Sequence, residues 1–265
     1  MRIAPVACLP VLLLTAGCLQ GQRVIKVNAN GSGTIVDTIT LGEQARGMIE
    51  GLAQMDKTPP AEKQAKTEAK LKERAAAMGP GVSFVSYAPS VKNGPEKIVY
   101  AFTDVTKIKV DSSPDPADND SKAEAKQPLT FRLEKKGGNS LLTVVGAGPK
   151  PGAAKPADAD APKEAAEAAA KMQAGAMAMM KTMLKGLKMT TLVEVGGRLV
   201  KTSSPWVQGS SVTLVDVDFD QLTADEASFK KLSEAGDPQS LDPAVLKGLK
   251  GIKVQTTPET TIEFN

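Results

Sequence analysis

The stretch Val24-Ile25-Lys26-Val27-Asn28-Ala29-Asn30-Gly31-Ser32-Gly33-Thr34-Ile35-Val36-Asp37-Thr38-Ile39 contains two runs rich in β-branched residues, separated by a short polar segment. The Asn and Gly residues of that segment, 28–33, tolerate the positive φ values that tight turns between antiparallel strands require. Residues 24–28 and 33–39 are therefore predicted to form a β-hairpin.

The same pattern recurs along the chain and indicates the fold class. Further strands are predicted at 82–88, 97–102, 129–134, 141–145, 189–195, 198–203, 212–219 and, as one or two strands, within 252–264. Helices are predicted at 40–55, 61–78, 163–188, 223–234 and 243–249, where apolar residues recur at helical spacing or a capping pair precedes them. These strands and helices together predict an α+β fold, with a mostly antiparallel sheet of hairpin-joined strands and several packed helices.

Two low-complexity segments divide the chain. Residues 111–127 are rich in Ser, Pro, Asp and Lys, which predicts a mobile loop, and residues 147–162 form a linker rich in Ala, Pro and Lys. We expect residues 24–146 and 163–265 to be the first and second parts of a single α+β domain, in preference to two independent domains.

The composition excludes several classes of function. The sequence has no histidine, which excludes Ser-His-Asp and Cys-His nucleophilic systems, histidine zinc sites and histidine general bases. Aromatic residues are 3% of the chain, too few for extended base-stacking platforms, and 33 basic residues against 30 acidic ones give no reason to expect a nucleic-acid partner. No nucleotide-binding glycine motif or metal-binding cysteine set appears, so no cofactor and no metal are expected.

The first eighteen residues predict export and membrane attachment. Arg2 precedes an apolar run, residues 3–14, that is too short to span a bilayer and suits the core of a signal peptide. The following Leu14-Thr15-Ala16-Gly17-Cys18 resembles the lipobox of bacterial lipoproteins. The resemblance implies that residues 1–17 are removed as a signal peptide, that the Cys18 thiol carries a diacylglycerol, and that residues 18–23 form a lipidated tether. Leu19 after the cysteine, in place of aspartate, favours the outer membrane over the inner one by analogy. A plain secretory signal that contains a cysteine is the alternative interpretation.

A second resemblance extends beyond the signal. The hairpin motif at residues 26–35, the segment Gly197-Arg198-Leu199-Val200 and the segment Val212-Thr213-Leu214 are similar to segments of LppM-type envelope lipoproteins. That resemblance implies a folded domain that binds lipid. The sequence departs from the pattern by two inserted linkers, a methionine-rich helix and the lack of a terminal membrane helix, and no ligand residue is carried over.

The methionine-rich helix predicted at 163–188 supplies the candidate ligand-binding residues. Methionine is flexible and polarisable, which suits an irregular apolar partner. The candidates share one helix face, with Lys181, Lys185 and Lys188 opposite: Met172, Met179, Met180, Met183 and Leu187. In one alternative this face packs on the sheet as ordinary core. In another the lysines contact anionic lipid headgroups while the apolar face enters the membrane.

Carboxylates offer two weaker alternatives. Asp216, Asp218 and Asp220 alternate along a predicted strand, which puts them on one side of the sheet. No glycine-punctuated calcium loop accompanies them, so a solvated strand face is the preferred interpretation. A hydrolytic pair drawn from Asp104, Glu194 or Asp216 requires a separation that the sequence does not reveal.

The sequence therefore predicts a non-enzymatic bacterial envelope lipoprotein, anchored by lipid on Cys18, whose α+β domain binds an apolar or amphipathic ligand. A structural protein that docks another envelope component is the second hypothesis, and a carboxylate-dependent hydrolase is the third. The expected partners are the membrane, a lipid or amphipathic ligand, and an envelope protein.

Overall fold

The computed structural model describes residues 19–43, 45–47, 50–51, 57–91, 94–112, 128–146, 181–182, 184–235, 245–246 and 248–265, to which the structural statements below refer. The strands are β1 (Leu19–Val27), β2 (Gly33–Leu41), β3 (Val82–Ala88), β4 (Glu96–Phe102), β5 (Thr130–Lys136), β6 (Asn139–Val145), β7 (Lys188–Val195), β8 (Leu199–Thr202), β9 (Val207–Gln208), β10 (Ser211–Asp218), β11 (Ile252–Val254) and β12 (Glu259–Phe264). The helices are α1 (Pro60–Met78), α2 (Phe219–Ala224) and α3 (Glu226–Ala235), and residues Val105–Lys107 form a 3₁₀ turn.

The larger sheet has eight strands in the order β11-β10-β7-β1-β2-β4-β3, with β9 also paired to β10. β1 and β2 pair antiparallel from Leu19 opposite Leu41 to Val27 opposite Gly33, which confirms the first predicted hairpin. Its turn is closed by a hydrogen bond from the Asn28 N–H to the Ser32 carbonyl at 2.8 Å. The antiparallel pair β3 and β4 confirms the second hairpin.

β1 lies in the interior of the larger sheet and pairs on its other side with β7. This pairing is parallel and runs from Gln20 opposite Lys188 to Val27 opposite Val195. β1 precedes the segment 147–162 and β7 follows it, so strands from both parts of the chain belong to one sheet. β6 and β12 are similarly joined in the smaller sheet.

The smaller sheet has four strands in the order β5-β6-β12-β8. The antiparallel pair β5 and β6 confirms the third predicted hairpin. The expectation of hairpin-joined strands fails further along, because β7 and β8, on either side of Gly196-Gly197, belong to different sheets. The same is true of β11 and β12.

Two glycines allow the chain to cross from one sheet to the other. A Cβ atom added to Gly197 would lie 1.8 Å from the carbonyl oxygen of Asn265, and one added to Gly196 would lie 2.6 Å from Oδ1 of Asn28. The Gly196 N–H donates to the Val27 carbonyl at 2.8 Å, so the crossing is tied to the end of β1. Backbone segments approach so closely here that a side chain has no room.

Inward-facing residues of both sheets form one apolar core. Along β1 the buried residues Ile25 and Val27 alternate with more exposed ones, as a strand with one buried face requires. Leu142 and Ile262 of the smaller sheet belong to the same cluster and have no exposed surface. Burying each such side chain contributes roughly 1.5–3 kcal/mol. α1 covers part of this core with Leu71, Ala75 and Met78, beside β3.

A second, smaller apolar cluster lies around α2 and α3. Its buried members are Leu222, Phe229, Leu246 and Leu249. The Asp218 N–H donates to the Gly251 carbonyl at 2.7 Å, which holds the chain before β11 against the end of β10. This cluster is therefore connected to the end of β10, and Ile252 and Val254 of β11 pack against it.

Strands dominate the described residues, and the expectation of several packed helices was overstated. The helix predicted at 61–78 is confirmed as α1, and residues 43, 45–47 and 50–51 are helical within the region predicted at 40–55. The helix predicted at 163–188 lies largely outside the described residues. It does not extend to Lys188, because 185–186 form a turn and Lys188 begins β7.

Capping near α2 and α3 also differs from the prediction. Thr223 does not precede a helix but lies inside α2, where its hydroxyl donates to the Phe219 carbonyl at 2.7 Å. Asp218 caps α2 by accepting from the Gln221 N–H at 3.1 Å, and Asp225 accepts from the Ser228 N–H at 3.3 Å. Residues 223–234 therefore form parts of two helices instead of one.

Candidate functional site

Most of the lipidation and ligand-binding residues predicted from the sequence lie outside the described part of the chain. Cys18, Met172, Met179, Met180 and Met183 lie outside the described residues, as do the linker 147–162 and most of the loop predicted at 111–127. Leu187 is described and half-buried, in the connection just before β7. Its carbonyl accepts a hydrogen bond from the Phe219 N–H at 3.0 Å, which joins the start of β7 to the start of α2.

Leu187 lies at the end of the larger sheet where β1 begins. We call this region the Leu19 end, defined by Leu19, Leu41, Lys185, Leu187, Lys188 and Asp218. Leu19 pairs with Leu41 of β2, and the next residue, Gln20, pairs with Lys188 of β7, which in turn pairs with Asp218 of β10. The starts and ends of four neighbouring strands therefore meet here.

Residues 19–23, expected to be part of a tether, are instead the first five residues of β1. Leu19-Gln20-Gly21-Gln22-Arg23 is short and mostly polar, as linkers often are. However, it is paired with β2 on one side and, from Gln20, with β7 on the other. The residue that follows Cys18 is therefore fixed in the sheet.

A buried ion pair holds β1 close to this end. Arg23 and Asp37 are opposite each other on β1 and β2, and their side chains are 0% and 1% exposed. Arg23 Nε and Nη2 donate to the two Asp37 oxygens, each at 2.6 Å. Burial works against the guanidinium charge, but the hydrogen bond and charge of Asp37 raise the pKa of Arg23 above its ordinary value.

Arg23 and its neighbour Thr191 also hold the chain that follows the 3₁₀ turn. Arg23 Nη1 donates to the Asp111 carbonyl at 2.7 Å. Thr191, which pairs with Arg23 across β1 and β7, donates its hydroxyl to the Ser112 carbonyl at 2.7 Å. The buried guanidinium is therefore bonded to both a carboxylate and the main chain, as a charge without solvent requires.

The carboxylates proposed as a cation site have other partners. Asp216 accepts from the Thr190 hydroxyl and from Lys253 Nζ, both at 2.9 Å. Asp220 lies in α2 instead of on the strand, and its Oδ1 accepts from the Gly186 N–H at 2.7 Å. Within the described part of the chain, no three Asp, Glu, Cys or His side chains are grouped so that they could hold a metal ion.

Asp218 is the most strongly engaged of the three. Burial by itself would raise its pKa, but the Gln221 N–H and the Lys188 ammonium, 3.3 Å away, lower the pKa of Asp218 below the ordinary value. Its role is to cap α2 and to pair with Lys188 across β10 and β7. These contacts hold the Leu19 end together.

Asp216 and Glu194, two of the three residues considered for hydrolysis, lie at different levels of the larger sheet. Asp216 lies opposite Thr190, four residues from Glu194 along β7. At about 3.3 Å per residue the backbone positions of these two residues are roughly 13 Å apart. Hydrogen bonds from Thr106 lower the pKa of Asp104, which is the reverse of what a general acid needs.

Glu96 and Tyr87, which the sequence did not single out, form a hydrogen-bonded pair on β4 and β3. Burial raises the pKa of Glu96, and the hydrogen bond from Tyr87 acts in the opposite direction. Burial and the neighbouring Glu96 together raise the pKa of Tyr87. The pair consists of one carboxylate and one phenol at the edge of the larger sheet.

Lys181 links the end of the methionine-rich segment to the smaller core. Its ammonium lies over the Phe229 ring, 5.0 Å from the ring centroid. Such a contact contributes about 0.5–1 kcal/mol where it is partly exposed. Phe229 is buried in the cluster formed around α2 and α3, so the residues leading into β7 are fastened beside that cluster.

Sequence reasoning missed the Arg23–Asp37 pair, although a signal for it was present. In the hairpin register that the turn predicts, these two residues are opposite each other, and both belong to the alternating set that also contains Ile25 and Ile35. An opposite charge pair on the buried face of two strands indicates an internal ion pair.

No family model, no curated protein and no solved structure matches this chain. None of the helices in the described ranges has both the length and the apolar character needed to cross a bilayer.

Proposed function

We propose that this chain is a bacterial envelope lipoprotein, anchored by lipid on Cys18, whose domain is not an enzyme and binds an apolar or amphipathic ligand. The observation that carries the proposal is the lipobox-like segment that ends at Cys18. The next residue, Leu19, is already paired within the interior strand of the larger sheet, so the proposed anchor is attached directly to the folded domain.

The position of Arg23 limits how far beyond Cys18 the chain could be cut. A cut after Arg23 would remove this residue and leave the buried Asp37 without its partner. With the cut before Cys18, the lipidated residue directly precedes Leu19 of β1.

The ligand-binding part of the proposal depends on Met172, Met179, Met180, Met183 and Leu187. Leu187, the described member of this set, lies at the Leu19 end, where its carbonyl accepts a hydrogen bond from the Phe219 N–H. The proposed lipid anchor would keep such a ligand close to the bilayer, from which lipids and acyl chains come.

A cysteine exchange tests the anchor. We expect the wild-type protein to incorporate a labelled fatty acid in growing cells and Cys18→Ala to lose that incorporation. Cys8→Ala is the matched control, because it removes a thiol from the signal peptide only and should leave incorporation unchanged. Equal incorporation into the wild-type and Cys18→Ala proteins, or none into the wild type, would contradict the anchor.

Native mass spectrometry tests the ligand. The Cys18→Ala protein, freed of its own lipid, should retain a co-purified lipid or amphipathic molecule. Met180→Gln should reduce that occupancy, whereas the control Lys201→Gln, at an exposed position on β8, should leave it unchanged. A ligand-free wild-type domain that also takes up no lipid from vesicles would refute this part.

One observation favours docking of another envelope protein as the second candidate. β3 is the last strand at its side of the larger sheet and carries no charged residue over Val82–Ala88, with Val85 55% exposed. Uncharged edge strands are suited to pairing with a strand of a partner. A photo-crosslinker at Val85 should then capture a specific envelope protein in cells, and the same group at Gln208 should not.

A further inference from the structure

Leu19, which directly follows the residue proposed to carry lipid, is already paired within the larger sheet. Consecutive Cα atoms are about 3.8 Å apart, so Cys18 is separated from the sheet by a single peptide unit. Leu19 is paired with Leu41, Gln20 with both Thr40 and Lys188, and Arg23 is locked to Asp37. A lipid on Cys18 is thus attached to a rigid strand without a flexible spacer.

The side chains at the Leu19 end suit an interface with phospholipid headgroups. Leu19, Leu41 and Leu187 are half-buried, and Lys185 is exposed in the turn before β7. Two of the acidic groups here are already engaged within the protein: Asp218 with Lys188 and Gln221, and Asp220 with the Gly186 N–H. Glu43, two residues after Leu41, is also exposed, so the surface charge at this end is mixed.

We infer that the Leu19 end of the larger sheet is a membrane-contact surface, which holds the domain in one orientation with this end against the bilayer. The inference rests on the proposed lipidation of Cys18 and adds the surface and the orientation. The partner is the phospholipid headgroup layer of the membrane that holds the anchor.

The opposite end of the sheet provides the internal control. β1 runs for nine residues from Leu19 to Val27, and eight steps of roughly 3.4 Å put Val27 about 27 Å from Leu19. Gln208 is exposed on β9, opposite Ser211, which pairs with Glu194 at the level of Lys26. Lys185 and Gln208 therefore mark the two ends of the sheet.

Labels at these two positions test the orientation. Lys185→Cys and Gln208→Cys are made separately in the full chain, exported and lipidated, so that the introduced thiol is the one left free for a fluorophore. Each protein is reconstituted into phosphatidylcholine–phosphatidylglycerol vesicles containing a lipid with a nitroxide quencher on its headgroup. We expect severalfold stronger quenching of the label at 185 than of the label at 208.

A spacer variant completes the design. Insertion of Gly-Ser-Gly-Ser-Gly between Cys18 and Leu19 should bring the two quenching values together, because the domain then tumbles on a flexible tether. Equal quenching without the insertion, or stronger quenching at 208, would overturn the inference. Intact mass of the same samples separates the two claims: a lipidated protein with equal quenching refutes the orientation alone, whereas an unmodified Cys18 refutes the proposed function with it.

Discussion

Replacing Asp37 by Leu leaves the Arg23 guanidinium without its carboxylate in a site with no access to solvent. Two charge-assisted hydrogen bonds of 2.6 Å are lost at once, and such bonds contribute about 1.5–3 kcal/mol each. We therefore expect Asp37→Leu to lower the free energy of unfolding by about 3–5 kcal/mol, the range found when a buried ion pair is broken. Arg23→Met should cost a similar amount, because it also removes the donor to the Asp111 carbonyl.

The double variant distinguishes an ion pair from two independent core positions. Arg23→Met with Asp37→Leu replaces the pair by apolar side chains, so its cost should be well below the sum of the single costs. Urea unfolding of the lipid-free Cys18→Ala protein, followed by circular dichroism, measures all four free energies. Glu259→Gln is the matched control, since its contact with Arg132 is also 2.6 Å but both side chains are about half exposed, and its loss should cost at most about 1 kcal/mol. Additive single effects, or a cost of Asp37→Leu below about 1 kcal/mol, would refute the reasoning.

Two further changes probe the crossing between the sheets and the Leu19 end. In thermal melts, Gly197→Ala should destabilise the fold by about 1–3 kcal/mol or more, because the added Cβ would lie 1.8 Å from the Asn265 carbonyl oxygen. Gly47→Ala is the control: its helical position has open space around it, so this change should be neutral or stabilising. Although burial alone would raise the pKa of Asp218, the Gln221 N–H and Lys188 lower it. Its contribution to stability is therefore present above the ordinary carboxyl pKa of about 3.9 and lost as the pH falls below that value. Asp218→Asn should flatten the acid limb of the stability curve below about pH 4, and an unchanged limb would contradict this assignment.

Local features of the fold followed from the sequence. The hairpin of β1 and β2 was predictable because the turn residues between Asn28 and Gly33 and the alternation on both sides specify the same register. The hairpins β3–β4 and β5–β6 and the boundaries of α1 followed from similar short-range patterns. In each case the deciding residues are close together in the chain.

Features that depend on distant pairing were missed. Residues 19–23 resemble a linker until β7, from the other part of the chain, is placed beside them. Gly196-Gly197 resembles a hairpin turn, but the neighbouring Asn265 and Asn28 make it a crossing between sheets. Long-range contacts of this kind have no periodic signature in one sequence.

The candidate site was predicted only in part for the same reason. Leu187 was assigned to a helix face, whereas its backbone joins β7 to α2. The aspartates at 216, 218 and 220 were predicted to form a solvated strand face, which is wrong: the side chains of Asp216 and Asp218 are only 16% and 17% exposed and are paired with Lys253 and Lys188. Asp220 lies in α2 and accepts from the Gly186 N–H. These partners come from elements that only the fold brings near. The Leu19 end is formed because β1 lies inside the sheet, between β7 and β2, and this position of β1 was not predicted.

The measurement that tests the account most directly is the intact mass of the protein isolated from membranes. The account predicts a chain that begins at Cys18 and carries the added mass of a diacylglycerol and an amide-linked acyl group, with tandem fragmentation placing both on the first residue. A chain that retains residues 1–17, or one that begins at Cys18 with an unmodified thiol, would contradict it.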